Sequence, residues 1–412
     1  MPATITAPGD RALSGFLASR ARGISASPTL AVDNLAKELS QKGVDVVGFG
    51  AGEPDFDTPA FIKEAAARAL EQGMTKYTAV GGLPELRQAI AAKLLRENGL
   101  EYSPGEIVVT VGAKHALYEI FQVLCEPGDE VVLPSPYWVS YLEQVRLAGA
   151  TPVIVPASPA NGLKITPDEL RRALTSRTKV VLLNSPNNPT GAVYGRDELA
   201  ALAEVVLTSN AWIVSDEIYE SFVYTEEPHV SIASIAPEVK SRTLLVNGFS
   251  KRYAMTGWRL GYVAGAKPVV EAITNLQSHS TSNPTTFAQW GAIAALNGPQ
   301  EPVQQMVEEF RRRRDFLVER LRLLPGVECA RPEGAFYVFP RISGIFGRSV
   351  DGFAITSSTS FCQAVLQKVQ VAMVPGIAFG ADEYVRLSYA TSFERIQEGM
   401  RRLEAFWQRL TG

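Results

Sequence analysis

The sequence predicts an α/β fold: a mostly parallel sheet of roughly seven strands between layers of helices, with a second, smaller α+β domain. Three observations predict it. Short β-branched runs alternate with helical spacing between residues 105 and 265, the pattern of strands joined by crossover helices. After Pro302 the texture changes to longer helices and shorter strands. The 412 residues, 46% of them hydrophobic and 20% charged, supply ample volume for a large core.

The elements follow in order. The N-terminal stretch carries Arg11, Arg20 and Arg22 and lacks the apolar stretch of about 7–15 residues of a secretory signal. A short tail and a first helix are expected there. Residues 107–111 form a β-branched run closed by Gly112, and 113–125 follow with helical spacing. Strands are then expected at 130–133, 151–155, 179–183, 212–215, 243–246 and 258–264, with helices at 138–147, 168–174 and 196–207. Beyond Pro302, 303–323 spells one long amphipathic helix ended by Pro325-Gly326. Residues 334–339, a helix near 361–369, strands near 371–374 and 384–388, and a last helix over 393–410 complete the chain. The expected division is residues 1–60 as an N-terminal arm and part of the small domain, 61–300 as the large domain, and 301–412 as the rest of the small domain.

Charge narrows the function. Forty basic and 43 acidic residues leave a net charge of −3, with pI about 5.9 and mean hydropathy +0.02. That excludes a strongly basic nucleic-acid-binding chain and a charge-driven disordered one. The cysteines (Cys125, Cys329, Cys362) and histidines (His115, His229, His279) are scattered, so no metal site and no disulfide framework is expected. No apolar run reaches the roughly 18–20 residues of a membrane helix. The expectation is a cytoplasmic protein with neither nucleic acid nor membrane as partner.

Four segments lie where strands end, which is where ligands bind open α/β sheets. In Thr110-Val111-Gly112-Ala113-Lys114 a strand meets a glycine and a helix begins at once. The first helical N–H groups lack internal partners, so this turn can seat a phosphate. Alone, such a turn is more often an ordinary strand-to-helix connection. Asn184-Ser185-Pro186-Asn187-Asn188-Pro189-Thr190-Gly191 is an irregular polar loop after a strand. In Ser215-Asp216-Glu217-Ile218-Tyr219 an acid emerges from a buried strand and wants a cationic partner. In the segment from Gly248 to Gly261, Lys251 follows an apolar strand and Arg259 lies eight residues on. A lysine there is useful if its pKa falls and it attacks a carbonyl. Arg259 suits a phosphate.

The fourth segment resembles, over its full length, the lysine signature of class I pyridoxal-phosphate aminotransferases. Asn187-Asn188-Pro189-Thr190-Gly191, Ser215-Asp216-Glu217-Ile218-Tyr219, Ala51-Gly52-Glu53-Pro54-Asp55-Phe56 and the run from Tyr384 to Ala390 are similar to that family's other blocks. The subgroup it most resembles holds bacterial-type aspartate aminotransferases and prephenate aminotransferases. The resemblance implies fold type I of pyridoxal-phosphate enzymes, pyridoxal 5′-phosphate as cofactor, and a homodimer with shared active sites. It implies that Lys251 holds the cofactor covalently and shuttles a proton. Asp216 would pair with the ring nitrogen, and Tyr219 and Asn188 would contact the phenolic oxygen. Gly112, Ala113, Ser250 and Arg259 would hold the phosphate, with Tyr77 of the neighbouring subunit. Trp138 would stack on the ring. Arg386, Asn188 and Gly52 would bind the substrate α-carboxylate.

For a second substrate carboxylate, the resemblance points to Lys114 with Ser27 and Thr29. Substrates would then be amino acids and 2-oxo acids with two carboxylates: aspartate, glutamate, oxaloacetate and 2-oxoglutarate. Prephenate conversion to arogenate is a further expectation. A monocarboxylic or aromatic amino acid is the alternative. Ala113 stands where relatives often carry a second glycine, which a negative φ would tolerate. A nicotinamide oxidoreductase is disfavoured, because Gly48-Phe49-Gly50-Ala51-Gly52 has the wrong spacing for a dinucleotide loop.

Overall fold

Seven strands form one sheet, in spatial order Ile107–Thr110, Gly261–Ala264, Thr243–Gly248, Trp212–Asp216, Thr178–Asn184, Glu130–Ser135 and Thr151–Pro156. The structure is a computed structural model and describes residues 16–25 and 28–411. Gly261–Ala264 runs antiparallel to both neighbours, and the other pairings are parallel. Successive strand side chains point to opposite faces. Val180, Leu182, Leu244 and Val246 therefore enter one core, beneath the helix Ala113–Leu124. Val181, Leu183 and Ile213 enter another, beneath Arg196–Leu207. Both faces are covered, which is why these strands read as continuous apolar runs.

The strand expected at 258–264 begins later. Thr256–Trp258 is a 3₁₀ turn, Arg259 takes a left-handed φ of 54°, and the strand starts at Gly261. The sequence pattern leaves unmarked the helices Ala60–Glu71, Pro84–Asn98, Pro237–Ser241, Lys267–Ser278 and Thr286–Asn297. The last shows why. Its sequence is apolar nearly all round, and Ala288, Ala292 and Ala295 are buried, so it has no polar face to mark a helical period. It packs closely against Ala60–Glu71.

Beyond the large sheet, Val385–Ser388 pairs antiparallel with Val374–Pro375 on one side and Tyr337–Val338 on the other. Val47–Gly48 pairs parallel with Val371–Ala372, and the Ser388 N–H donates to the Phe49 carbonyl at 2.8 Å. Early and late chain segments thus share backbone hydrogen bonds. The helix Pro28–Gln41 packs on these short strands. Glu301–Arg322 and Phe393–Trp407 pack on each other nearby. No helix among the described residues is long and apolar enough to cross a membrane.

Candidate active site

A cavity of about 420 Å³ opens where the carboxyl ends of the parallel strands meet Val385–Ser388. It is lined by Gly52, Ala113, Lys114, Trp138, Asn188, Asp216, Tyr219, Ser250, Lys251, Arg259 and Arg386. Eleven of the residues singled out from the sequence therefore share one wall system. Gly112 lies beside it as the residue before the helix Ala113–Leu124. Tyr77 is not in the cavity and is 88% exposed. Ser27 lies outside the described residues, and Thr29 falls in the helix Pro28–Gln41.

The anion seat is built from close approaches. Gly112 has φ +85°, and a Cβ there would lie 2.6 Å from Arg259 Nη2. A Cβ on Gly261 would lie 2.4 Å from the Ala113 nitrogen. Both glycines are thus required for the helix start and the guanidinium to converge. Arg259 Nη1 donates to the Thr256 carbonyl at 2.7 Å. Its left-handed backbone costs on the order of 1–3 kcal/mol and is held by its surroundings. Ala113 opens the helix and is absent from the positive-φ residues, so its Cβ fits without strain. Unpaired helical N–H groups, the helix dipole and a cation all favour a bound anion here.

Asp216 ends the strand Trp212–Asp216 and is 3% exposed. Tyr141 Oη donates to its Oδ2 at 2.6 Å, and the Ile218 N–H to its Oδ1 at 3.3 Å. Burial pushes its carboxyl up to about 6, against the pull of the Tyr141 hydrogen bond. Replacing Tyr141 by phenylalanine removes a charge-assisted bond worth about 1.5–3 kcal/mol. The Asp216 carboxyl is then expected to titrate about one to two units higher. Infrared difference spectra of the carboxyl across pH would read this. An unmoved titration would mean the hydroxyl does not hold the charge.

Lys251 follows the strand Thr243–Gly248, and its ammonium donates to the Gly52 carbonyl. Burial, together with Arg386, Arg259 and Lys114, pushes its pKa down to about 8, while Glu53 opposes. The Nζ lies 5.9 Å from the Tyr219 ring centroid. Tyr219 Oη shares a 2.8 Å hydrogen bond with Tyr337 Oη. Burial raises the Tyr219 hydroxyl well above its ordinary range.

Arg386 is 2% exposed. Its Nη1 donates to Asn188 Oδ1 at 3.0 Å and its Nη2 to the Gly50 carbonyl at 2.6 Å. Its Nε is buried with no hydrogen-bond partner. The guanidinium sits 4.5 Å from the Tyr337 ring and 5.0 Å from the Phe379 ring. No carboxylate among the described residues forms an ion pair with it. A buried cation in that position calls for an anionic ligand.

Trp138 meets Tyr141 edge-on at 5.3 Å, and Lys114 Nζ lies 5.0 Å from the Trp138 ring. Burial, then Arg259, lowers the Lys114 pKa. Sequence reasoning missed Tyr141, Tyr337, Asn184, Asn34 and Lys37. Asn184 Oδ1 accepts from the Asn188 N–H at 2.9 Å, and its Nδ2 donates to the Asp216 carbonyl at 2.9 Å. It stood inside a segment already singled out. Tyr141 lies three residues beyond Trp138, hence on the same helix face, a usable signal. Tyr337, Asn34 and Lys37 had none.

Residues 44–403 match the family described as aminotransferase class I and II. The chain is 51% identical over 396 residues to the aspartate aminotransferase of Geobacillus stearothermophilus, covering 95% of this chain and 99% of that one. It is 50% identical over 393 residues to the aspartate/prephenate aminotransferase of Cereibacter sphaeroides, covering 95% and 98%. Among solved structures, the aspartate aminotransferase from Rhizobium meliloti matches with TM-score 0.93 and 43% identity, covering 96% of this chain and 99% of that one.

Proposed function

Because the chain belongs to the class I and II aminotransferases, we propose that it moves the amino group of aspartate to 2-oxoglutarate, yielding oxaloacetate and glutamate. Pyridoxal 5′-phosphate is the proposed cofactor. The observation that carries the reading is the pairing, in one cavity, of a lysine amine pushed down to about 8 with a buried arginine that has no acidic partner among the described residues. The first suits a carbonyl, and the second suits a carboxylate.

The residues present fit the cofactor. Asp216 is a buried carboxylate with no cation within hydrogen-bond reach among the described residues, which suits a protonated ring nitrogen. Gly112 leaves no space for a Cβ beside Arg259, which suits a phosphate. Pyridoxal phosphate, when bound, supplies a carbonyl for an amine and a ring that accepts the electron pair freed at the substrate α-carbon. The chain does the rest. Lys251 would hold the cofactor and would take and return the substrate α-proton. Asp216 keeps the ring-nitrogen proton in place. Asn188 and Tyr219 would hold the phenolic oxygen, and Trp138 would lie against the ring. Ser250, Arg259 and the amides of Gly112 and Ala113 hold the phosphate.

Arg386, with Asn188 and the Gly52 amide, would hold the α-carboxylate. Lys114 takes the second carboxylate, with Ser27 and Thr29. Prephenate is proposed as a second amino acceptor, a reading supported by Lys114 in the cavity wall and by the name of the Cereibacter relative. The exposure of Tyr77 (88%) supports a homodimer in which each copy lends this residue to the other's phosphate site. The proposed domains are 1–60 with 301–412, and 61–300, supported by the pairing of Val47–Gly48 with Val371–Ala372. Three free, buried cysteines suit the cytoplasm.

An absorbance titration tests this. The loaded protein is expected to be yellow, to bleach with aspartate and to recover with 2-oxoglutarate. Recovery with prephenate establishes the second acceptor. A protein that bleaches with alanine or phenylalanine and ignores aspartate sinks the dicarboxylate reading. A protein that never takes up the cofactor sinks the assignment of Lys251.

A further inference from the structure

The cavity is lined by five basic side chains, Lys37, Lys114, Lys251, Arg259 and Arg386, against two acids, Glu53 and Asp216. The roles above account for four of the five. Lys37 is left over. It comes from the helix Pro28–Gln41, which packs on the short strands that neighbour Arg386, Val374–Pro375 among them. Lys114 comes from the helix Ala113–Leu124 on the large sheet. Two cations thus reach one cavity from separate structural layers. Neither forms an ion pair among the described residues, and Glu53 Oε2 is engaged by Thr256 Oγ1 at 2.6 Å. Like charges lining one space repel unless an anion lies between them.

We propose that Lys37 is a specificity-determining residue, recognising the side-chain carboxylate of a dicarboxylate substrate together with Lys114. The assignment rests on the aminotransferase reading above and deepens it. A dicarboxylate is then held from both layers, whereas a monocarboxylate gains nothing from Lys37. The contact is solvated on one side, since Lys37 is exposed, so its worth is that of a partly screened ion pair.

The test substitutes Lys37→Met in the loaded full-length protein, with Lys42→Met as a charge control on the surface just past the same helix. Two readouts are taken: the dissociation constant of succinate, a dicarboxylate that cannot react, and kcat/KM for aspartate and for alanine. Lys37→Met is expected to weaken succinate and to lower kcat/KM for aspartate by about two- to fivefold, the scale of an exposed charge pair, and to leave alanine unchanged. Raising the salt concentration should shrink the difference. Lys42→Met should match the unsubstituted protein. Unchanged succinate affinity in Lys37→Met overturns the proposal, as does an equal loss for aspartate and alanine, which would mark a packing defect. If the unsubstituted protein itself fails to prefer aspartate to alanine, the dicarboxylate reading falls and takes the proposal with it.

Discussion

Replacing Lys251 by alanine is expected to lower kcat for transamination by at least about 10⁴-fold, the upper range for a positioned proton-transfer group. The loss should exceed that of any other single substitution, because in the proposed reaction one amine both holds the cofactor and moves the α-proton. Folding should survive. Burial pushes the Lys251 ammonium down to about 8, so below that pH the ligand-free protein carries a charge that its surroundings disfavour. The sign follows: a lysine with a depressed folded pKa weakens the folded state at low pH, and the weakness lifts as pH rises from about 8 toward the ordinary lysine range. Alanine removes that burden, so the melting temperature of the ligand-free protein at neutral pH should not fall. The same shift sets the loading rate. The free-amine fraction rises about tenfold per unit up to pH 8. Uptake of pyridoxal phosphate should accelerate in step and level off above. Turnover within tenfold of the unsubstituted enzyme, or pH-independent loading, would overturn the role of Lys251.

Substituting Arg386→Lys is expected to lower kcat/KM by about 10²- to 10³-fold, as for truncating one partner of a buried, hydrogen-bonded charge pair. Charge is kept, yet the fork is lost. Lysine cannot reach Asn188 Oδ1 and the Gly50 carbonyl, as Arg386 does, and still present two parallel donors to a carboxylate. The α-carboxylate is common to all amino acids, so aspartate and alanine should suffer alike. That sets Arg386 apart from Lys114 and Lys37, whose loss should fall on dicarboxylates alone. Steady-state kinetics with both substrates decide it. A defect confined to aspartate would place Arg386 at the side-chain carboxylate instead.

The helix Thr286–Asn297 and the late start of the strand Gly261–Ala264 mark the limits of pattern reading. A uniformly apolar helix has no periodic face. A glycine-flanked strand that begins behind a left-handed arginine has no local sign of its register. The chemistry was more legible than the geometry. Lys251, Asp216, Asn188 and Arg259 each sit in a short segment where a polar residue lies at the end, the exit or the entry of an apolar strand. Such interruptions cost free energy and so mark a use.

What the linear order of residues carried was the fold class and the short segments whose Lys251, Asp216 and Arg259 line one cavity. All of these depend on neighbours a few positions away: a strand, a glycine, the start of a helix. The Tyr141 bond to Asp216, the Tyr219–Tyr337 contact, the Arg386 bond to Asn188 and the arrival of Lys37 are different. Asp216 and Tyr141 lie 75 residues apart, and Arg386 and Asn188 lie 198 apart. Pairings at that range arise when the sheet order and the packing of helix Pro28–Gln41 are set. A hydrogen bond or a shared cavity depends on ångströms, and distance in the chain says nothing of those.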